Sequence, residues 1–189
     1  MESIYLKLAE NRTLETERLL LRPVTLDDAE AMFEYSSDEE NTRYTFLPNK
    51  DLEETKNIIA RLFMGRPLGN WGIELKESGK LIGSIDLHKL DPVLKKAAIG
   101  YVIHKNYWNQ GLATEALKEI IHLAFERLDM NMLVALHDVE NPASGRVMEK
   151  AGMKFSHIDP YAALDEHEEG RISQRAYYRL TKKDYFEKY

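Results

Sequence analysis

The stretch YWNQGLATEA, residues 107–116, decides how this chain folds. It follows a strand-like segment at residues 96–104 and leads into the strongest helical pattern of the sequence, Ala113 to Leu128. Apolar residues recur in that pattern at offsets of three and four, which predicts a core-facing helix of about four turns. The first N–H groups of a helix lack internal partners, so they can hold a phosphate group. A plain tight turn relieved by Gly111 explains the same residues, and both interpretations stay open.

Strand and helix patterns alternate on both sides of this stretch, which is typical of an α/β (α+β) fold. No repeat or low-complexity linker interrupts the chain, so we expect a single domain over residues 1–189. The predicted order is β-α-α-β-β-β-α-β-α-β-β, with a mixed sheet of six to seven strands flanked by helices. Strands are expected at about residues 17–22, 71–76, 81–88, 96–104, 132–136, 154–158 and 171–180, and the other helices begin near Thr25, Asp51 and Asn141.

The composition excludes several classes of function. With 26 Lys+Arg against 32 Asp+Glu the formal net charge is −6, which argues against binding a nucleic-acid backbone. The chain has no cysteine, and its six histidines show no metal-ligand spacing, so we expect neither a thiolate nucleophile nor a metal site. No apolar run approaches the ~18 residues of a membrane-spanning helix. The opening residues do not resemble an export signal, and a cytoplasmic location is expected.

A second segment, NPASGRVMEKAGM at residues 141–153, indicates a shorter helix. Pro142 at its first turn and Gly152 just past its end agree with the preferences of helix termini. Asn141 alone is explained as an N-cap, and Ser144 as an ordinary helix residue. Neither residue by itself indicates a ligand.

Taken together, the two segments resemble the GNAT superfamily of acyl-CoA N-acyltransferases, over about Leu14 to Tyr185. The chain is most similar to the Rim-type branch, the ribosomal-protein alanine N-acetyltransferases. That branch pairs a Y-W-x-x-G-x-A-T-E-A segment with an N-x-x-S-x-x-V-x-E-K-x-G segment, and both are present here in order. The opening ETERLLLRP, residues 15–23, is also typical of it.

The resemblance implies a site for acetyl-CoA, the acetyl-donor co-substrate. The fourth and fifth predicted strands, about residues 98–104 and 132–137, would be parallel and splay apart, with the pantetheine arm lying in the gap as an added strand. Asn141 matches a pantetheine contact, and Ser144 matches a group near the acetyl sulfur. The backbone groups implied for the pantetheine belong to Val102, Ile103 and His104, and the pyrophosphate loop matches Gln110, Gly111, Leu112, Ala113 and Thr114.

The implied reaction is direct attack of a neutral amine on the thioester. The departing thiolate must be protonated or stabilised, and Ser144 is the candidate for this through its hydroxyl hydrogen. Many members of the superfamily place a Glu just before the Ile-Gly-Tyr of the fourth strand, but Ala98 stands there in this chain. In the Rim-type branch a Glu in the segment before the last strand is the general base, and counting back from Gly170 suggests Glu166, with Asp86 and His88 on the third strand as alternatives. Solvated surface residues would explain the acidic run around Glu166 equally well.

The acceptor stays open between several classes. A primary amine is expected, with a protein N-terminal amine as one form of it. A small polyamine or an aminoglycoside is the alternative, since the acidic run around Glu166 would suit a cation. A non-catalytic acyl-CoA-binding module is a further alternative, motivated by Ala98. A homodimer is compatible with all of these.

Overall fold

The computed structural model describes residues 3–188 and contains one eight-stranded sheet. The strands are β1 (Leu14–Glu15), β2 (Leu19–Arg22), β3 (Asn70–Leu75), β4 (Lys80–Asp91), β5 (Lys96–Ile103), β6 (Met132–Asp138), β7 (Lys154–Leu164) and β8 (Ile172–Thr181). The helices are α1 (Ile4–Glu10), α2 (Ala29–Ser36), α3 (Glu39–Thr42), α4 (Leu52–Ile58), α5 (Leu112–His122), α6 (Pro142–Lys150) and α7 (Lys182–Lys188). The predicted α/β class is therefore confirmed.

The strand order across the sheet is β1-β2-β3-β4-β5-β6-β8-β7. Neighbours pair antiparallel except β5 and β6, which run parallel because α5 carries the chain back across the sheet. Their pairing begins at Lys96 with Met132 and ends at Ile99 with Ala135. Beyond that point residues 100–103 of β5 and 136–138 of β6 diverge, while β6 stays paired with β8 as far as Asp138. The predicted splay of the two parallel strands is confirmed.

The strand number is a correction, because the sheet has eight strands where six to seven were predicted. The additional strand, β1, has two residues, which is too short to show a periodic pattern. It exists because Leu14 pairs with Leu21 of β2 and is buried there. The short helices α1, α3 and α7 were not predicted either, since most of their stability comes from packing against the rest of the chain.

Helix starts follow the local chemistry of the sequence. Asp51 accepts a hydrogen bond from the Glu54 N–H at the start of α4, and Asn141 accepts one from Ser144 at the start of α6. Gly111 begins α5 with a φ of 79°, a left-handed conformation that favours glycine. Both α4 and α5 continue as one π-helical segment each, Ile59–Met64 and Leu123–Arg127.

Two layers of helices cover the sheet. On one face α5 and α6 bury a large cluster that includes Leu117 and Met148. On the other face α2 and the α4 segment bury a smaller cluster around Met32, Tyr35 and Ile59. Successive side chains of a strand point to opposite faces, so Tyr101 of β5 packs on the α5–α6 side and its neighbour Val102 on the α2–α4 side. Within residues 3–188 no helix is long and apolar enough to cross a membrane.

Candidate active site

A cleft of about 1630 Å³ opens where β5 and β6 diverge. It is larger than the roughly 300–1,000 Å³ typical of a pocket for one small ligand. The N-terminus of α5, the start of α6, the end of α3 and the α4 segment all contribute to its walls. Since the gap passes through the sheet, the cleft reaches both helical layers.

The start of α5 forms one wall of the cleft. Gly111, Leu112, Ala113 and Thr114 all lie there, and the first amides of the helix have no partner within it. Gln110 does not line the cleft, because its side chain donates to the Asn106 carbonyl at 3.1 Å.

Arg18, in the loop before β2, forms hydrogen bonds with residues at the start of α5. Its guanidinium donates to the Gln110 carbonyl at 2.9 Å and to the Glu115 carboxylate at 2.7 Å. Glu115 also accepts from the Arg18 N–H and from the Thr16 hydroxyl. These bonds outweigh its partial burial and hold the pKa of Glu115 below its ordinary value. A fixed carboxylate beside an exposed helix start leaves the free amides on the cleft side for an anion.

The backbone of β5 supplies a second wall. The His104 N–H donates to the Ile82 carbonyl at 2.7 Å. Hydrogen-bonded and non-hydrogen-bonded pairs alternate along an antiparallel ladder, so Val102 also directs its backbone groups to β4, whereas Tyr101 and Ile103 direct theirs toward the gap. Val102 and Ile103 line the cleft, but His104 is buried and does not.

Trp108 packs at the C-terminal end of β5. Its indole N–H donates to the Ile103 carbonyl at 2.7 Å, and the Asn41 amide of α3 reaches the same oxygen at 3.3 Å. The indole hydrogen bond gives Trp108 a structural role that does not require a charge. The free backbone group of Ile103 on the gap side is therefore its N–H.

Ser144 lies against Tyr101 on the α5–α6 side of the gap. The Ser144 Oγ is 2.8 Å from the Tyr101 Oη, and the Tyr101 hydroxyl also reaches the Ser144 carbonyl at 3.0 Å. Burial raises the pKa of Tyr101 well above its usual value, so this phenol stays protonated. Asn141 lines the cleft one turn earlier. Sequence reasoning missed Tyr101, which reads as an ordinary strand residue.

His88 and Asp86 lie on the opposite side of the gap. The His88 Nδ1 is 2.9 Å from the Asp86 Oδ1, and that oxygen also accepts from the Gly100 N–H at 3.0 Å. The absence of a side chain at Gly100 makes room for them, since a Cβ there would lie 2.9 Å from Asp86 Oδ1. His88 pairs across the strands with Ala98, the position at which the superfamily resemblance suggested a Glu.

Glu166 does not reach the cleft. It is exposed in the turn between β7 and β8, where its neighbour Asp165 is held by Arg43 at 3.3 Å and by Arg171. Burial would raise the pKa of Asp165, but the His167 and Glu168 N–H groups and the two arginines hold it below its ordinary value. The negative charge of the acidic run is thus partly neutralised, because Arg43 and Arg171 form ion pairs with its carboxylates.

The charge of the cleft is opposite in sign to that of the chain. Four carboxylates lie on its walls. Three of them have partners: Glu40 pairs with Lys105, Asp86 contacts His88, and Asp91 accepts from the N–H groups of residues 93 and 94. The fourth, Glu39, has no such partner among the described residues. The seven basic residues on its walls are Arg43, Arg61, Lys89, Lys96, Arg146, Lys150 and Arg175. Within residues 3–188 no group of three or more His, Cys, Asp or Glu is placed to hold a metal ion.

The chain is similar to known proteins in sequence and in fold. The family model for the acetyltransferase (GNAT) domain matches residues 18–154. The chain belongs to the GNAT acetyltransferase family. Acetyl-CoA is accordingly the acetyl donor of this GNAT enzyme, and the cleft fits it, because the gap offers unpaired backbone groups and the α5 terminus offers free amides.

Individual relatives agree with this assignment. YoaA of Bacillus subtilis (strain 168), described as an uncharacterized N-acetyltransferase, is 36% identical over 145 residues, which is 75% of this GNAT chain and 82% of YoaA. The ribosomal-protein-serine acetyltransferase of Escherichia coli (strain K12) is 28% identical over 119 residues, 63% of this chain and 60% of its own. The crystal structure of a GNAT-family acetyltransferase from Bacillus anthracis superposes with a TM-score of 0.81 at 27% identity, covering 90% of this chain and 99% of that one.

Proposed function

We propose that this GNAT enzyme transfers the acetyl group directly to a primary amine, and that the amine is the N-terminal amino group of a polypeptide. The observation that carries the proposal is the gap between β5 and β6, which has a possible base on one face of the sheet and hydroxyl groups on the other. Such an arrangement suits direct acyl transfer, in which the amine adds to the thioester carbonyl from one side of the sheet and the departing thiolate is stabilised on the other.

His88 is the group we assign as general base, in preference to Glu166. It lies beside the gap and is held by Asp86 at 2.9 Å, whereas Glu166 is exposed outside the cleft. A carboxylate that holds one imidazole nitrogen leaves the other nitrogen free to take a proton. In the reaction the amine nitrogen bonds to the thioester carbon, the tetrahedral intermediate then loses the C–S bond, and His88 removes the proton that the amine nitrogen must lose.

The Ile103 N–H faces the gap and is the donor we assign to the developing oxyanion. The Ser144 hydroxyl donates a hydrogen bond that stabilises the departing thiolate, and the thiolate takes its proton from solvent. We further assign the α5 start, Gly111 to Thr114, to the pyrophosphate and Asn141 to the pantetheine arm. These assignments rest on the positions of the residues in the cleft wall.

A polypeptide terminus is favoured over a polyamine or an aminoglycoside by the charge of the cleft. Those alternatives carry several positive charges, and six of the seven basic residues on the walls have no ion pair to a carboxylate within the described residues. The name of the Escherichia coli relative, a ribosomal-protein-serine acetyltransferase, also supports a protein acceptor.

The deciding experiment measures thiol release from acetyl-CoA with short peptides, with spermidine and with an aminoglycoside, and locates the acetyl group by mass spectrometry. Transfer to a peptide α-amino group is the expected result. Peptides whose α-amino group is already blocked are the control and should release no thiol. Binding of acetyl-CoA without release from any amine would contradict the proposal.

A further inference from the structure

The acceptor side of the cleft carries an apolar wall that is partly exposed in the described residues. It consists of Phe46, Leu47, Ile58, Leu62 and Phe63, which we call the acceptor wall. Leu47 and Leu62 are 53% and 40% exposed. Single apolar side chains scattered over a protein surface are common. A group of them that lines a concave surface indicates a binding site.

The acceptor wall lies on the same face of the sheet as His88. Phe63 and Val102 pack against the cluster that contains Met32 and Tyr35. Tyr35 hydrogen-bonds to Ser84, and alternate residues of a strand share one face, so Ser84, Asp86 and His88 point to this side. When the amine of an acceptor lies at His88, the side chain of the residue that carries this amine can therefore contact the acceptor wall.

Arg61 places a positive charge beside the acceptor wall. Arg61 stands between Ile58 and Leu62 in the α4 segment and has no ionic partner within residues 3–188. Among the described residues, Glu39 is the one cleft carboxylate that has no hydrogen-bond or ion-pair partner. A positive surrounding disfavours a second cation on the acceptor, and it also favours the neutral form of the amine that has to attack.

We propose that the acceptor wall selects amines that are attached to an apolar side chain and carry no second positive charge, so that the preferred acceptors are polypeptides beginning with an apolar residue. This inference rests on the function proposed above and names the substrate class of the same site. Burial of a leucine-sized side chain on the wall is expected to raise kcat/KM at least tenfold over a small polar side chain.

The experiment uses peptides that differ only in their first residue, Leu, Ser or Lys, followed by the same neutral residues and a C-terminal amide, with spermidine as a polycationic amine. The expected order of kcat/KM is Leu, then Ser, then Lys and spermidine. Faster acetylation of the Lys peptide or of spermidine would overturn the inference while leaving the proposed function in place. Absence of thiol release with every acceptor would overturn both.

Matched variants attribute the preference to the acceptor wall. Leu62→Ser is expected to reduce the Leu-to-Ser ratio of kcat/KM to near one, and Met64→Ser, an equally exposed position of the same segment outside the cleft, is expected to leave the ratio unchanged. Arg61→Glu is expected to raise the relative rate with the Lys peptide, and Arg66→Glu is its control outside the cleft. If both variants fold and their Leu-to-Ser ratios of kcat/KM are identical, the acceptor wall does not determine specificity.

Discussion

A single phenol proton connects Tyr101 to two oxygens of Ser144. When the phenol donates to the Ser144 carbonyl, the Ser144 hydroxyl donates to Tyr101, and when the phenol donates to the Ser144 Oγ, the serine proton is free for the sulfur. The raised pKa of Tyr101 keeps that proton on the phenol throughout the working pH range.

We predict that Ser144→Ala lowers kcat by about 10²-fold and leaves the acetyl-CoA Kd unchanged, and that Tyr101→Phe has a smaller effect in the same direction. Calorimetry and thiol release measure the two quantities. An acetyl thioester of an acidic aryl thiol, whose thiolate leaves without a proton, should narrow the difference between Ser144→Ala and the parent enzyme. An equal loss with both thioesters would assign Ser144 a structural role.

Substitution of His88 distinguishes a general base on β4 from one in the β7–β8 turn. Because it lines the cleft and contacts Asp86, His88→Ala is expected to lower kcat/KM for the amine by about 10²–10⁴-fold. Glu166→Gln should change it little, and His122→Ala, outside the cleft, is the control. Partial recovery of the His88→Ala variant by added imidazole would support proton transfer. A larger loss in Glu166→Gln would reverse the assignment.

Among the secondary-structure elements, the approach of α6 to β6 depends on Gly145. A Cβ there would lie 2.6 Å from the His137 Nε2 and 3.2 Å from the Tyr178 hydroxyl. The His137 ring has little freedom to retreat, because its Nδ1 is 2.7 Å from the Asp138 carbonyl and the residue is buried. Since Ser144 precedes Gly145, the same contact sets where the Ser144 hydroxyl lies.

We predict that Gly145→Ala moves α6 away from β6, lowers the free energy of unfolding by about 1–3 kcal/mol and lowers kcat. Denaturant unfolding and thiol release give the two numbers. The double variant with His137→Ala removes the opposing ring and should recover part of the lost kcat. Failure of the double variant to recover any activity, with stability regained, would show that the position of α6 does not control the reaction.

At the scale of the whole molecule, Arg22 joins the sheet to the loop that leads into α2. Its guanidinium donates to both Asp28 oxygens, at 2.8 and 2.9 Å, and to Glu74 at 2.5 Å. Burial alone would raise the pKa of Asp28, but the bonds from Arg22 and from the Thr25 N–H outweigh it and hold that pKa below its ordinary value.

A lowered carboxyl pKa stabilises the fold above the unfolded-state value and is lost as the pH falls through the folded-state value. We therefore predict that Asp28→Asn destabilises the protein by about 1–3 kcal/mol at pH 7 and that the difference shrinks as the pH falls below ~4. Asp27→Asn, the exposed neighbour, is the control. Urea unfolding at several pH values measures this. A difference that does not change with pH would exclude the ion pair as its source.

Periodic patterns in the sequence correctly predicted the long elements. The apolar positions of α5 and the buried run of β6 were identified because each has enough residues for its period to show. β1 and α3 were missed, since two and four residues show no period and form only against their neighbours. The residues that begin α5 and α6 were found from their motifs, and most of them line the cleft.

The sequence by itself determined the fold class, the family resemblance and the two segments whose residues line the cleft, because these depend on local periodicity and on residues adjacent in the chain. Only the tertiary structure decided that His88 lies beside the gap and Glu166 outside it, that Tyr101 contacts Ser144 across 43 positions of sequence, and that the cleft is basic in an acidic chain. Strand register and helix docking bring these groups together, and neither is encoded in a short stretch of sequence.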